Sequence, residues 1–168
     1  MSESQRMPHA QQFCTFYINE MLFGIDVKRV QEVVCFHELT AVPLAPPAIR
    51  GLINLRGQII AAIDLRQRLE IPNSKRPERP MNVIVRAADG LTSLLVDAAG
   101  DVLETGAGSF ERTPDTLRGV VREFVLGVHK LKDSLLLILD IDKVIQLQMP
   151  KRAAVTERDE TASLERKP

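Results

Sequence analysis

The sequence predicts an all-β protein made of two related small barrels, and three observations carry that expectation. Short apolar runs rich in Val, Ile and Leu, separated by turn formers, fill the stretch between two polar ends. Helical signals are confined to single turns. Residues 51–69, GLINLRGQIIAAIDLRQRL, align without a gap on residues 127–145, GVHKLKDSLLLILDIDKVI.

Along the chain, residues 1–12 are polar and aperiodic, which predicts a disordered lead-in. A first strand is expected over 13–18, ending at the turn formers Asn19-Glu20. Asp26, Asp64 and Asp142 are each placed to N-cap a short helix, because a carboxylate there satisfies orphan backbone donors. Val30 and Val33 follow Asp26 at helical spacing. Another strand is expected over 58–63, with Asp64 capping the turn after it. Residues 72–80, PNSKRPERP, have the composition of a loop, so the halves join near 71–80. Strands over 82–86 and 92–97 flank a turn at Asp89-Gly90, and Gly106-Ala107-Gly108 marks a further turn. Strands over 121–127 and 134–140 flank Lys132-Asp133. The folded domain is thus 13–148, and 149–168 is a charged tail, read as a frayed end or a marginal solvated helix.

The repeat runs at a constant offset of 76 from Gly51/Gly127, with Leu55/Leu131 and Asp64/Asp140 also identical and Arg56/Lys132 conserving charge. A weaker echo pairs Ile25-Asp26 with Val96-Asp97. A small barrel alone buries too little apolar surface to be comfortable, so two copies packed together are expected. Shared positions then serve folding, and differing ones are where function lodges. Asn54, Arg56 and Gly57 in the first copy face Lys130, Lys132 and Asp133 in the second. Gly57 accommodates positive φ, and Arg56 brings a planar fork suited to a carboxylate.

Composition excludes several function classes. The 168 residues carry 22 Lys plus Arg and 22 Asp plus Glu, a formal net charge of zero. A nucleic-acid binder needs a basic surplus and stacking aromatics, whereas this chain has one Tyr and no Trp. No apolar run approaches the ~20 residues of a membrane helix, and the N-terminus lacks a signal-peptide core. Two cysteines, Cys14 and Cys35, make no disulfide scaffold; both are read as buried free thiols of a reduced, cytoplasmic protein. His9, His37 and His129 stand alone, without metal-ligand spacing; His9 falls in the lead-in and the other two read as surface or half-buried bystanders. Ser74, Ser93, Ser109 and Ser134 occupy no nucleophile elbow, and no Gly-Lys-Ser/Thr follows Gly108. Asp26, Asp64, Asp97 and Asp140 recur at element ends, where capping explains them better than acid–base chemistry. Neither catalysis nor a cofactor is expected.

Taken in order, several segments resemble the CheW-type chemotaxis coupling proteins. They are residues 23–33 (FGIDVKRVQEV), Val42-Pro43 with Pro46, 49–57 (IRGLINLRG), 63–66 (IDLR), 94–97 (LLVD) with Val102, and 137–140 (LILD). The resemblance covers roughly 13–147 and implies two intertwined five-stranded SH3-like barrels. It implies an adaptor that bridges the cytoplasmic tips of chemoreceptors to the regulatory domain of the histidine kinase CheA within receptor arrays. A related adaptor for pilus motility is the alternative. Val30, Glu32 and Arg56 map onto the family's receptor-binding region, with Val33, Asn54 and Gly57 as supporting members. Val30 and Val33 either line an apolar groove for a receptor helix or are core residues. Glu32 and Arg56 either pair to orient that groove or form a solvated surface pair of little consequence. The kinase-contact strand stays unassigned, although exposed barrel edges suit such docking. Ala61 departs from the family, which usually has Pro there. A free-standing, monomeric protein is expected.

Overall fold

Each half of the chain supplies a hairpin to the other half's barrel. The computed structural model describes residues 10–72 and 76–147. The first half carries β1 (Gln11–Ile18), β2 (Met21–Asp26), β3 (Val30–Cys35), β4 (Ile49–Leu55), β5 (Gln58–Asp64) and helix α1 (Leu65–Arg68). The second carries β6 (Met81–Ala87), β7 (Gly90–Val96), β8 (Ala98–Thr105), β9 (Phe110–Glu111), β10 (Val125–Lys130), β11 (Leu135–Leu139) and α2 (Ile141–Ile145). One sheet runs β3-β6-β7-β5-β4 and the other β8-β1-β2-β11-β10-β9. Hairpin β6–β7 therefore sits between first-half strands, and hairpin β1–β2 between second-half strands. The parallel junctions are β5 with β7 and β11 with β2. The expected all-β, intertwined duplication is what the chain forms, with the two-residue β9 making a sixth strand in the second barrel.

The duplication extends to hydrogen bonds. The bulge between Ile49 and Gly51 on β4 recurs between Val125 and Gly127 on β10. Asp64 N–H donates to the Ala48 carbonyl and Asp140 N–H to that of Phe124, at 2.7 and 2.8 Å. The leading strands repeat at a different offset, 69: Val33 opposite Val83 matches Val102 opposite Cys14, and Val30 opposite Val85 matches Ala99 opposite Phe16. The register shifts because the connection from β8 to β10 is longer than that from β3 to β4 and carries β9. The echo of Ile25-Asp26 in Val96-Asp97 runs at 71, so it pairs residues that are not structural equivalents.

Several sequence expectations are corrected. Val30 and Val33 lie on a strand, not a helix; Asp26 is followed by a 3-10 turn over Val27–Arg29, which it caps through Lys28 N–H. Asp140, not Asp142, caps α2, accepting from Lys143 N–H, while Asp142 sits in its first turn. Of the strand expected over 121–127, only Val125 onward is strand, the start of β10; before it a 3-10 turn, Val120–Phe124, buries Val121 and Phe124. Cys14 is buried, but Cys35, ending the edge strand β3, is exposed. His129 is fully buried rather than a surface bystander. Residues 1–9, 73–75 and 148–168 lie outside the described residues, and with them His9, Ser74, most of the lead-in and the whole tail.

Apolar packing divides into three clusters. The largest, including Phe16, Phe23, Ile63, Val83, Leu94, Val128 and Leu137, draws on both sheets. Ile53, Leu55, Ile60, Ala62, Ile84 and Leu95 fill the first barrel. Phe13, Leu22, Leu136 and Ile138 fill the second. Their positions correspond: Leu55, Ile60 and Ala62 have Leu131, Leu136 and Ile138 as twins, with Leu131 packed against the second interior.

Candidate interaction site at Glu32 and Arg56

Arg56 and Gly57 form the two-residue turn between β4 and β5, closed by the Leu55–Gln58 pair. Both have positive φ, 51° and 86°. That is the type I′ geometry whose twist suits a hairpin, and it favours Gly at the second position. No atom lies within 4 Å of where a Gly57 side chain would begin, so backbone conformation alone demands glycine. Asn54 supports the turn, its Oδ1 accepting from Gly57 N–H at 2.8 Å. Arg56, strained for a residue with a side chain, is held by its guanidinium. Nη1 and Nη2 donate to the two Glu32 oxygens at 2.7 and 2.8 Å, a bidentate fork.

Glu32 reaches this point because of a bulge in β3. Register slips between Val30 and Glu32, so Val30 and Val33 pair with Val85 and Val83 of the large core, whereas Glu32 pairs with Ile84 of the first-barrel interior. β3 and β4 are the two edges of this sheet. The ion pair therefore ties one edge to the turn beside the other, across the end of the barrel. The Arg56 side chain is 73% exposed and that of Glu32 22%, leaving a cationic face outward over a shielded carboxylate. The hydrogen bonds it donates to Glu32, then the charge of that carboxylate, raise the Arg56 pKa further, so the guanidinium is permanently charged.

The structure thus gathers Glu32, Asn54, Arg56 and Gly57. Val30 and Val33 are half-buried on the opposite face of β3 and lean on the large core. Sequence reasoning missed the clamp beside them. Arg29 donates to Asp142 at 2.8 Å and to the Arg86 carbonyl, and Arg86 donates to the carbonyls of Lys28 and Val30. The hydrogen bond from Arg29, then its charge, lowers the Asp142 pKa. These contacts fix the start of β3 against the second half, and separations of 56 to 113 residues leave no sequence signal for them.

At the twin positions stand Lys132 for Arg56 and Asp101 for Glu32. No ion pair joins them among the described residues. A cavity of about 210 Å³ opens elsewhere, lined by Phe36, Leu39, Arg50, Asp64, Arg66 and Asp97 among others. Its carboxylates have structural tasks: Asp97 pairs with Arg66 and accepts from Asn19 N–H, and Asp64 caps α1 and meets Arg76 at 3.3 Å.

The family model for the CheW-like domain matches residues 12–149. The crystal structure of the scaffolding protein TtCheW from Thermoanaerobacter tengcongensis superposes with a TM-score of 0.75 at 30% identity, covering 83% of this chain and 94% of that one. The chemotaxis protein CheW of Klebsiella aerogenes is 27% identical over 135 residues, 80% of this chain and 81% of its own length. That of Bacillus subtilis is 27% identical over 143 residues, 85% and 92%. With the swapped hairpins, the repeated caps and this match across both barrels, the chain belongs to the CheW-like family.

Proposed function

We propose that this protein is a non-catalytic chemotaxis adaptor that couples the cytoplasmic tips of chemoreceptors to the regulatory domain of the histidine kinase CheA, working in the cytoplasm within receptor arrays. The observation that carries the receptor side is the bidentate Arg56–Glu32 pair, mounted on a strained turn at the end of the first barrel. A guanidinium presented with its charge outward suits an acidic or carbonyl-rich helix end. Asn54 and Gly57 hold the turn, and Val30 and Val33, half-buried on the other face of β3, seat the strand that carries Glu32. Such contacts are individually modest and gain strength from many copies in an array.

The test is co-sedimentation of the purified chain with receptor-tip fragments and CheA, comparing wild type, Arg56→Glu and the swap Glu32→Arg with Arg56→Glu. Arg56→Glu is expected to fold, judged by circular dichroism, and to lose receptor binding while retaining the kinase. The swap restores an ion pair with reversed outward charge, so it rescues any purely structural role but not recognition. Unchanged receptor affinity in Arg56→Glu, or full rescue by the swap, refutes the site. If wild type binds neither partner, the coupling role itself fails and a pilus-motility system becomes the one to probe.

A further inference from the structure

The second barrel hides a polar cluster around His129 that has no counterpart at the twin positions of the first. His129, 1% exposed, stands where the first barrel has the equally buried Ile53. The rings of Phe13 and Phe110 lie 5.4 and 5.3 Å from it. Its Nδ1 is 2.8 Å from Ser109 Oγ and its Nε2 is 3.4 Å from Thr105 Oγ1. Ser109 Oγ spends its one proton on the Gly106 carbonyl at 2.9 Å, so it accepts from His129. The imidazole proton therefore sits on Nδ1, and Nε2 is left to accept from Thr105.

These contacts seat one segment. β9 covers the edge of β10 through only two pairs, Val128 with Glu111 and His129 with Phe110, and the Phe110 ring packs against Gly127. In the first barrel the same edge is covered by a backbone bridge, Thr40 to Leu52, with no titratable group in it. Among the described residues, no carboxylate pairs with His129. On β8 Leu103 and Thr105 face inward, so Glu104 faces out, and Asp101 is exposed further along the strand. On β9 Glu111 points away from His129 and pairs with Lys130 of β10 at 3.3 Å. On β1 Cys14 alternates away from Phe13, and β11 (Leu135–Leu139) has no titratable side chain.

We propose that His129 is a proton-operated latch: neutral, it seats residues 105–111 against β10, and protonation releases them and bares the β10 edge. A second ring proton, on Nε2, would meet only a distant hydroxyl and leave a charge among phenyl rings. Burial accordingly lowers the affinity of the seated ring for protons. The ring takes up a proton where water reaches it, in the open form. Opening and protonation are thus linked, by up to about tenfold in population per pH unit below the ordinary histidine value of ~6.5.

Hydrogen exchange of the full chain, followed by mass spectrometry between about pH 5 and 7.5 and corrected for intrinsic chemistry, tests this. Protection over 105–111 and 125–130 is expected to fall by up to about tenfold per unit of acidification, while the β4–β5 hairpin stays protected. His129→Ile, which installs the twin's residue, is expected to abolish that response. An equal acid response in His129→Ile, or no response in wild type, overturns the latch. If His129→Ile does not fold, the ring nitrogens of the wild-type protein decide by magnetic resonance. Protonation at Nδ1, with titration accompanying loss of protection, supports it; titration at the ordinary value with 105–111 still protected overturns it.

Discussion

Asp64 and Asp140 are twins that perform one local task in two surroundings, so replacing each separates the cap from its environment. Each carboxylate accepts from the backbone N–H three residues on, Gln67 and Lys143, at 3.3 Å. Losing such a cap to alanine costs about 1 kcal/mol. Asp140 is half-buried and makes no ion pair among the described residues, so Asp140→Ala is expected to cost about that. The Asp64 side chain is only 8% exposed and meets Arg76 at 3.3 Å and Arg50 at 3.9 Å. Those arginines are partly exposed, so each contact adds ~0–1 kcal/mol. Asp64→Ala is therefore expected to cost about 2–3 kcal/mol once the pairs and the emptied space are included. Asp64→Asn keeps an equally good cap and loses the charge, for about 1 kcal/mol. Urea unfolding at unchanged m-value measures all three, and in a domain of this size each kcal/mol moves Tm by ~2–4 °C. Equal losses for Asp64→Ala and Asp140→Ala would refute the environmental argument. Asp64→Asn as damaging as alanine would show that charge, not capping, dominates.

Arg68 stitches the two halves from α1. It donates to the carbonyls of Val144, Lys143 and Gln146 at 2.9, 3.0 and 2.9 Å, and its guanidinium lies 4.6 Å from the Phe124 ring centroid. Arg68→Met is expected to cost about 2 kcal/mol by thermal unfolding, and Arg68→Lys nearly as much, since one ammonium cannot reach three carbonyls and lie on a ring; a fully stable Arg68→Lys contradicts this. Thiol labelling of the native protein is expected to modify exposed Cys35 at once. Cys14, whose thiol pKa burial raises, is expected to react only in denaturant. Rapid labelling of both thiols in the native state would show β1 to be less well seated than its contacts imply.

Much of this architecture was legible in the chain, for reasons that differ by element. The repeat at 76 was visible because Gly51/Gly127 and Asp64/Asp140 are bound to backbone tasks: a close approach of Thr40 or Phe110 in one pair, a cap in the other. The strands β2, β3, β4, β8 and β9 escape a reading of the sequence. β2 and β8 contain Gly24 and Gly100, placed where neighbouring side chains crowd the backbone, and such glycines mimic turn signals. The β3 bulge put Val30 and Val33 three residues apart on one face, which imitates helical periodicity. The hairpin swap was carried by resemblance, since pairing between distant strands leaves no local mark. Glu32 and Arg56 were legible as chemistry, a carboxylate and a fork, but their meeting depends on curvature that brings opposite sheet edges together.

The places where the twins differ follow a pattern that bears on which barrel can move. In the first barrel the Arg56 fork closes on Glu32, and a backbone bridge to Thr40 covers the β4 edge. In the second, the corresponding cation is Lys132, which lacks a fork, and the corresponding acid is Asp101, one methylene shorter. The β10 edge is covered instead by the two-residue β9, seated by a histidine where the first barrel has Ile53. A backbone bridge has no group to titrate, whereas an imidazole loses its seat on protonation. The duplicated frame therefore has one barrel end braced by a bidentate ion pair and a backbone bridge and one edge held by a buried imidazole, so protonation of that imidazole is expected to loosen the halves unequally even though they share a fold.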